Sequence, residues 1–294
     1  MARAWVRMTV FTAVAAIGAL TFVLAFLLNV ANRRLRVFED PRIDVVEEML
    51  PHANCGACGY PGCRAFAEAV VSGAALPGKC TVGTDEQRQR IAGFLGVAAG
   101  AEERRVARLA CAGGANVARQ RAHYHGPSGC RAAQAVGGGG KGCAWGCLGF
   151  GDCERSCNFS AIRMDGFGLP RVDEAACTAC GDCVSVCPRD LFSLQALGNR
   201  LWVACRNLEH GDTVLAECEV GCTACGRCAM DAADGLVSMH GNLPVVDYGC
   251  RQDRAPIERC PTGAIVWIDP ALGPVRGAAS APVVRHSRLR DGAS

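Results

Sequence analysis

The hydrophobic pattern opens with a long apolar segment, residues 8–30, that carries no charged side chain. At about 1.5 Å per residue, a helix of this length spans roughly the 30 Å core of a bilayer. Arginines flank the segment, at Arg3 and Arg7 before it and at Arg33 and Arg34 after it. The pattern predicts a transmembrane anchor over residues 1–31. The alternative is a secretory signal peptide, which has a shorter apolar region of about 7–15 residues and a small-residue cleavage site.

The remaining pattern predicts short elements in an α+β chain. Helices are expected over residues 41–50, 64–71 and 85–95, where apolar residues recur at helical spacing. Loops and short strands are expected between the cysteine clusters of residues 143–269. A run of glycines at residues 137–140 predicts a flexible joint. The domain division is an anchor (1–31), a small helical module (32–97), tandem ferredoxin-like units (98–269) and a disordered tail (270–294).

The composition changes this picture through its cysteines. Only 6% of the 294 residues are aromatic and 36 are glycine, so an ordinary packed core would be small. Small modules with thin cores need disulfides or metals, and 21 cysteines are available for either. A net charge of +3, without a basic stripe, does not favour nucleic-acid binding.

The clearest motif is the C-x2-C-x2-C-x3-C-P run of bacterial ferredoxins, formed by Cys177, Cys180, Cys183, Cys187 and Pro188. In such runs the first three thiolates bind one [4Fe-4S] cubane and the fourth binds its neighbour. Zinc sites pair two C-x2-C units across a longer gap or use histidine. Disulfide frameworks suit secreted chains of under 100 residues. The run therefore predicts iron–sulfur clusters.

A ferredoxin needs a second half, and four cysteines at looser spacing precede the first motif: Cys143, Cys147, Cys153 and Cys157. The crossed pairing predicts two ligand sets. One set is Cys143, Cys147, Cys153 and Cys187, and the other is Cys157, Cys177, Cys180 and Cys183. Asn158 stands where proline is usual. The alternative is that the four earlier cysteines are free buried thiols.

A second ferredoxin unit follows in degenerate form. Its first half keeps three cysteines, but Ala232 stands at the fourth position. Its second half has Cys250, Asp253 and Pro256 at the first three positions. The crossed rule leaves one complete ligand set: Cys222, Cys225, Cys228 and Cys260. The other set, even with an oxygen ligand from Asp253, has too few ligands, so one cluster is predicted to be kept and one lost.

Two further groups of cysteines remain. The first is Cys55, Cys58, Cys63 and Cys80, in a glycine-rich segment that lets the backbone approach a cubane. Alone, its C-x2-C could be a redox dithiol or half of a zinc site, but the neighbouring motifs favour a cubane. The second is Cys111, Cys130, Cys205 and Cys218, which are either buried apolar thiols or the ligands of a fifth cluster.

Other catalytic patterns are not found. The segment 137–141 resembles a phosphate loop only in its glycines, because Gly142 follows the lysine instead of serine or threonine. No dinucleotide-binding glycine motif follows a clear strand. His123 and His125 are interpreted as surface residues, with cluster ligation as the alternative. No catalytic residue is predicted, and the expected chemistry is one-electron exchange.

The whole pattern resembles the B subunit of the Rnf-type ion-translocating ferredoxin:NAD oxidoreductase complex, in its long, many-cluster form. The resemblance rests on the anchor, on residues 50–63 (LPHANCGACGYPGC) and 65–69 (AFAEA), and on residues 142–149 (GCAWGCLG). It implies an iron–sulfur subunit of a redox-driven ion translocase, which relays electrons from reduced ferredoxin to membrane partner subunits. The lost cluster motif departs from that family's form.

The location follows from cluster chemistry. Cubanes need reduced thiolates for assembly, and the cytosol supplies them. We therefore expect a single-pass protein of the cytoplasmic membrane, with its iron–sulfur body on the cytoplasmic side. The alternative function is a polyferredoxin subunit of another membrane-associated hydrogenase or reductase, but ordinary polyferredoxins lack the Cys55–Cys80 module.

Overall fold

The computed structural model describes residues 2–35, 39–101 and 103–284, with the side chains of residues 2–10 and 13 left aside. The helices are α1 (Ala2–Leu35), α2 (Arg42–Met49), α3 (Cys63–Val71), α4 (Asp85–Leu95), α5 (Cys130–Ala135), α6 (Asp152–Arg155), α7 (Asp182–Val186), α8 (Gly211–Glu217), α9 (Arg227–Asp231) and α10 (Ala255–Glu258). The strands are β1 (Arg105–Leu109), β2 (Ile162–Met164), β3 (Pro170–Val172), β4 (Phe192–Ala196), β5 (Leu201–Val203), β6 (Val237–His240), β7 (Leu243–Val246), β8 (Ile265–Asp269) and β9 (Gly273–Val275).

Helix α1 contains a segment that is long and apolar enough to cross a membrane, the one such segment in the described residues. It runs over Val14–Leu35 with a mean hydropathy of 2.3, and none of it is buried in the protein. Thr21 keeps its hydroxyl satisfied by donating to the Ile17 carbonyl at 2.9 Å. A hydroxyl bonded in this way needs no partner from water. Basic Arg33 and Arg34 lie in its last turn.

The helical module that follows packs α2, α3 and α4 around a small apolar core. Val46, Phe66 and Ile91 are at most 1% exposed there. Helix α4 begins with a capping box, in which Thr84 and Gln87 satisfy each other's backbone N–H groups. These helices agree with the sequence-based bounds to within one residue at each end.

The body consists of two ferredoxin-like units with the same topology. In the first, β1 pairs antiparallel with β4, and β2 and β3 form a hairpin between them in sequence. In the second, β5 pairs antiparallel with β8, and β6 and β7 form the corresponding hairpin. Helices α6 and α7 contact each other in the first unit, as α9 and α10 do in the second. The predicted tandem fold is therefore confirmed.

The glycine run at residues 137–140 is a packed turn, so the predicted flexible joint is wrong. All four glycines have positive φ, between 64° and 87°. A Cβ on Gly140 would lie 1.9 Å from the carbonyl oxygen of Ala122. The Gly140 carbonyl also accepts the backbone N–H of Arg121 at 2.7 Å. Here glycine allows a close approach between two backbones and does not loosen the chain.

Part of the predicted disordered tail is ordered. Strand β9 pairs antiparallel with β8. The N–H of Ala279 then donates to the Glu258 carbonyl at 3.0 Å, and that of Ala281 to the Pro261 carbonyl at 2.8 Å. The prediction of disorder is therefore wrong for residues 270–284, because β8 offers this low-complexity segment backbone partners. Residues 285–294 of the predicted tail lie outside the described residues.

Candidate functional site

All 21 cysteines lie in the described part of the chain and all are free thiols. Twenty of them gather in five groups of four. We name these the N-terminal group (Cys55, Cys58, Cys63, Cys80), the Cys177 group (Cys157, Cys177, Cys180, Cys183), the Cys187 group (Cys130, Cys147, Cys153, Cys187), the bridging group (Cys111, Cys143, Cys205, Cys218) and the Cys260 group (Cys222, Cys225, Cys228, Cys260).

The N-terminal group surrounds a small cavity between the loop before α3 and the segment after the 3-10 turn Pro77–Lys79. Asn54 shapes the loop, because its Oδ1 accepts the backbone N–H of Cys63 at 2.8 Å. Asn54 itself adopts a left-handed conformation with φ 46°. The N–H of Gly83 donates to Cys80 Sγ at 3.3 Å. Burial raises the pKa of the Cys80 thiol, and the nearby thiols of Cys58 and Cys63 contribute to the shift.

The Cys177 group contains the four cysteines that sequence analysis assigned to one set. They line a cavity formed by the loop before α7 and by Cys157. In that loop Ala179 has φ 58° and Gly181 has φ 90°. A left-handed alanine is strained, so its presence indicates a loop held in a special shape. Burial raises the pKa of Cys183 to about 12.

Two cysteines exchange places relative to the sequence-based sets. Cys143 does not complete the set of Cys147, Cys153 and Cys187, and lines a cavity with Cys111 instead. Cys130 takes its place, close enough to Cys153 to raise the pKa of that thiol together with burial and Cys187. The predicted sets that contained Cys143 and Cys130 are therefore wrong in these two members.

Asp152 is the physical reason for the exchange. Its Oδ2 accepts the backbone N–H of Cys130 at 2.8 Å and that of Arg131 at 3.3 Å. These bonds hold the start of α5 against α6, which contains Cys153. Spacing along the chain favoured the nearer Cys143 and gave no signal for this contact, because it joins residues 22 positions apart.

The bridging group lies between the two units, with Cys143 and Cys218 buried and Cys111 and Cys205 partly buried. Burial raises the pKa of Cys205 and of Cys218 to about 12. The buried side-chain amide of Asn207 donates to Cys143 Sγ at 3.7 Å, and its backbone N–H donates to Cys205 Sγ at 3.4 Å. Sequence analysis did not identify Asn207. It left the four unassigned cysteines as either buried thiols or the ligands of a fifth cluster, and three of them gather here, with Cys143 as the fourth.

Hydrogen bonds connect the bridging group to both neighbouring groups. On one side the backbone N–H of Cys147, from the Cys187 group, donates to Cys111 Sγ at 3.4 Å. On the other side the backbone N–H of Cys222, from the Cys260 group, donates to Cys205 Sγ at 3.3 Å. The bridging group therefore links the two ferredoxin-like units.

The Cys260 group repeats the geometry of the first unit. Ala224 has φ 59° and Gly226 has φ 72°, at the positions of Ala179 and Gly181. Burial raises the pKa of Cys222 and of Cys228 to about 11, and their mutual proximity and that of Cys260 contribute. Cys225 differs from the other 20 cysteines in being exposed.

The fourth potential cluster site of the two ferredoxin-like units is filled by protein. Residues three positions after Cys157, Cys187 and Cys260 have positive φ, and so does Gly235 three positions after Ala232. The turn thus survives where the cysteine is lost. In the other half, Pro256 is fully buried and Asp253 is exposed, with its Oδ1 accepting the Ala255 N–H at 3.0 Å.

The glycine turn of the other motifs is also lost there. Gly151, Gly181 and Gly226 each precede a helix in the left-handed conformation. Arg254, at the equivalent position, has φ −90°. Cys250 packs against the apolar core of the second unit. Within the described residues, the structure therefore places no second ligand set in this unit.

The chemistry of the donor sets fits [4Fe-4S] cubanes. The cavities of the N-terminal, Cys177 and bridging groups are nearly equal, with about 310, 320 and 330 Å³ of empty space including their mouths. In the described residues, no group of three or more His, Cys, Asp or Glu residues is spaced for a single metal ion. Zinc would need sulfurs at about 2.3 Å from one centre. His123 and His125 are exposed and lie outside the five groups.

Comparisons with known proteins agree with this chemistry. Residues 50–82 match a family model described as an Fe-S cluster, and residues 145–191 match a 4Fe-4S dicluster domain. The B subunit of the Na(+)-translocating ferredoxin:NAD(+) oxidoreductase complex of Acetobacterium woodii is 36% identical over 85% of this chain and 75% of its own length.

Two further relatives are similar over most of their lengths. The B subunit of the ion-translocating oxidoreductase complex of Methanosarcina acetivorans is 34% identical over 86% of this chain and 96% of its own length. The B subunit of the proton-translocating ferredoxin:NAD(+) oxidoreductase complex of Clostridium ljungdahlii is 36% identical over 83% of this chain and 87% of its own length.

Proposed function

Because the chain belongs to the family of B subunits of ion-translocating ferredoxin:NAD oxidoreductase complexes, we propose that it relays electrons through five [4Fe-4S] clusters in a complex of this kind. A bound cubane supplies one-electron exchange, and the protein supplies its ligands and surroundings. Three clusters rest on sets that spacing also predicted, and the clusters of the Cys187 and bridging groups rest on the grouping in the structure. The observation that carries the proposal is the assembly of 20 cysteines into five groups of four.

The hydrogen bonds to sulfur support a continuous relay. The Cys147 N–H and the Cys222 N–H contact sulfurs on either side of the bridging group. Each N–H stabilises negative charge on the sulfur that it faces, which raises the reduction potential of the attached cluster. These contacts tune the bridging group and at the same time keep its neighbours close. The second unit therefore communicates with the first through the bridging group.

The exposure of Cys225 supports the Cys260 group as the point where a donor delivers electrons. A soluble electron carrier needs a cluster near the surface, and Cys225 is the exposed cysteine among the 21. On helix α9, five residues further along the chain, Met230 is 73% exposed and offers an adaptable apolar contact. We propose reduced ferredoxin as the donor, as the names of two relatives suggest. Electrons then leave toward membrane partner subunits.

We propose that the anchor holds the iron–sulfur body on the cytoplasmic side of the membrane. The described part of α1 contains none of the cysteines and has the length to cross a bilayer. Reduced thiolates for cluster assembly are available in the cytosol. The relatives are named for sodium in one case and for protons in another.

The deciding experiment is an iron and sulfide analysis of the full-length chain, purified anaerobically in detergent. Five clusters predict about 20 iron atoms per chain, against about 16 if the bridging group is inert. An iron content near one atom per four cysteines would instead indicate mononuclear iron sites and would contradict the proposal.

A further inference from the structure

A cleft between the two ferredoxin-like units contains arginine donors that have no partner among the described residues. Its empty space, including the mouth, is about 1120 Å³. Arg108 on β1 and Arg171 on β3 line one side of the cleft. Trp202 on β5, Ile268 on β8 and Arg276 after β9 line the other. The cleft therefore depends on strand β9 and on the ordered part of the C-terminal segment.

Arg108 is a buried cation with spare donors. Its side chain is 8% exposed, and its Nη1 forms an ion pair with Glu174. Its Nε and Nη2 are buried and have no hydrogen-bond partner in the part of the chain that the structure describes. Buried polar groups normally have a hydrogen-bond partner. Burying an N–H donor of a charged group without a partner costs more free energy than burying a neutral one. The arrangement calls for an acceptor that comes from outside the chain.

Arg276 supplies a second donor to the same cleft. Its Nη2 donates to the carbonyls of Thr262 at 2.5 Å and Ala281 at 3.2 Å. Its Nε is buried and, in the described part of the chain, has no partner. Carbonyls position this guanidinium without neutralising its charge. Among the lining residues of the cleft the one carboxylate is Glu174, which pairs with Arg108, while Arg171 pairs with Asp165 at 3.2 Å.

The rest of the cleft is largely apolar. Leu109, Leu169, Val220 and Val266 line it together with Trp202. The Trp202 indole N–H is already used, because it donates to the Leu109 carbonyl at 2.8 Å. The ring therefore presents its apolar surface. A ligand that pairs with the arginine donors and packs against the apolar lining needs an anionic end and an apolar body.

We propose that this cleft binds an organic anion, whose carboxylate or phosphate oxygens accept hydrogen bonds from Arg108 and Arg276. The planar guanidinium fork suits such oxygens, and charged hydrogen bonds are the strong ones. The apolar body of the ligand packs against Trp202 and Val266. The proposal goes beyond electron relay and does not depend on it, since its donors are not cluster ligands.

Calorimetry on the full-length, cluster-loaded protein in detergent tests the proposal with benzoate as the probe. Benzoate should bind with a stoichiometry of one, and neutral benzyl alcohol should not bind measurably. Arg108→Met and Arg276→Met should each weaken benzoate binding roughly tenfold or more. Arg163→Met is the matched control, because Arg163 is an exposed arginine on β2 outside the cleft. It should leave the affinity unchanged.

A variant with the opposite sign guards against misfolding as an explanation. Glu174→Gln removes the carboxylate that competes for Arg108 and should strengthen benzoate binding, which a damaged protein would not do. Iron content should be unchanged in all variants. If inorganic phosphate bound as tightly as benzoate, the two arginines would still form an anion site, but the proposed contact of an apolar ligand body with Trp202 and Val266 would be wrong. Equal binding of benzyl alcohol, or unaltered affinity in both arginine variants, would overturn the proposal.

Discussion

The backbone N–H of Cys147 donates to the Sγ of Cys111 at 3.4 Å, although the two cysteines belong to different groups of four. Cys147 contributes its sulfur to the Cys187 group and its amide to the bridging group. One residue thus serves two adjacent sites, and a displacement of its backbone affects both. This coupling makes the membership of the groups testable by combining substitutions.

Pairs of cysteine substitutions should distinguish the groups seen in the structure from the sets expected from spacing. Cys111 and Cys143 lie in one group, so the Cys111→Ala/Cys143→Ala protein should lose one cluster and keep about 16 iron atoms. Cys130 and Cys143 lie in different groups, so Cys130→Ala/Cys143→Ala should lose two and keep about 12. Iron and sulfide analysis after parallel reconstitution measures both.

The spacing-based sets make a different prediction for the first pair. They place Cys111 and Cys143 apart, so that protein would keep about 12 iron atoms. They also place Cys111 and Cys130 together. A Cys111→Ala/Cys130→Ala protein with about 16 iron atoms would therefore contradict the grouping described here.

In the second unit, Cys260→Ala should remove one cluster and Cys250→Ala should remove none. Cys260 completes the one ligand set of that unit, whereas Cys250 packs in an apolar core. The two changes are chemically identical and lie in the same unit, so each controls for the other. Loss of about four iron atoms from the Cys250 protein would show that the degenerate half still binds a cluster.

Asn207→Ala should lower the reduction potential of the bridging cluster. The substitution removes an amide donor to Cys143 Sγ, and this donor stabilises the more negative, reduced state. A net hydrogen bond of about 1 kcal/mol corresponds to a shift on the order of tens of millivolts. Potentiometric titration followed by electron paramagnetic resonance measures it.

Asn199→Ala is the control for that shift. The Asn199 side chain donates to Gln195 Oε1 at 3.0 Å, and no contact with sulfur is observed for it in the described residues. An equal shift in both proteins, or a rise in the Asn207 protein, would refute the assigned role.

Removal of residues 1–31 should release a soluble brown protein with its full iron content. The described part of the anchor contains no cysteine, and the core of the helical module begins after it, at Ile43 and Val46. Cell fractionation and iron analysis of anaerobic preparations check this, with the full-length chain as the membrane-bound control. Loss of most of the iron would mean that the anchor supports the clusters.

The sidedness is testable with reporters fused after Ser294. A reporter that is active in the cytoplasm should work, and one that needs export should stay inactive, because we place the body in the compartment that keeps thiols reduced. The opposite pattern of activity would place the body outside the cytoplasmic membrane.

Sequence alone predicted the elements whose causes are local. The conformation of each Cys-x2-Cys loop is set by the residues of that loop. Ala179 and Ala224, which stand at the same position of two loops with the same Cys-Thr-Ala-Cys-Gly sequence, both adopt the left-handed conformation. The exchange of Cys130 and Cys143 was not predictable, because it depends on the contact of Asp152 with a distant helix start. The order of residues 270–284 likewise depends on a partner strand and not on composition.

The filled site in the second unit has a consequence for biogenesis. Leu201, Leu236, Pro256 and Ile257 are fully buried there, so this unit has an apolar nucleus of its own. In this half the chain supplies packed side chains where the other halves supply cysteines, so its core does not wait for a second metal centre. We therefore expect the second unit to mature with one cluster, whereas the first unit, which contains the Cys177 and Cys187 groups, needs two.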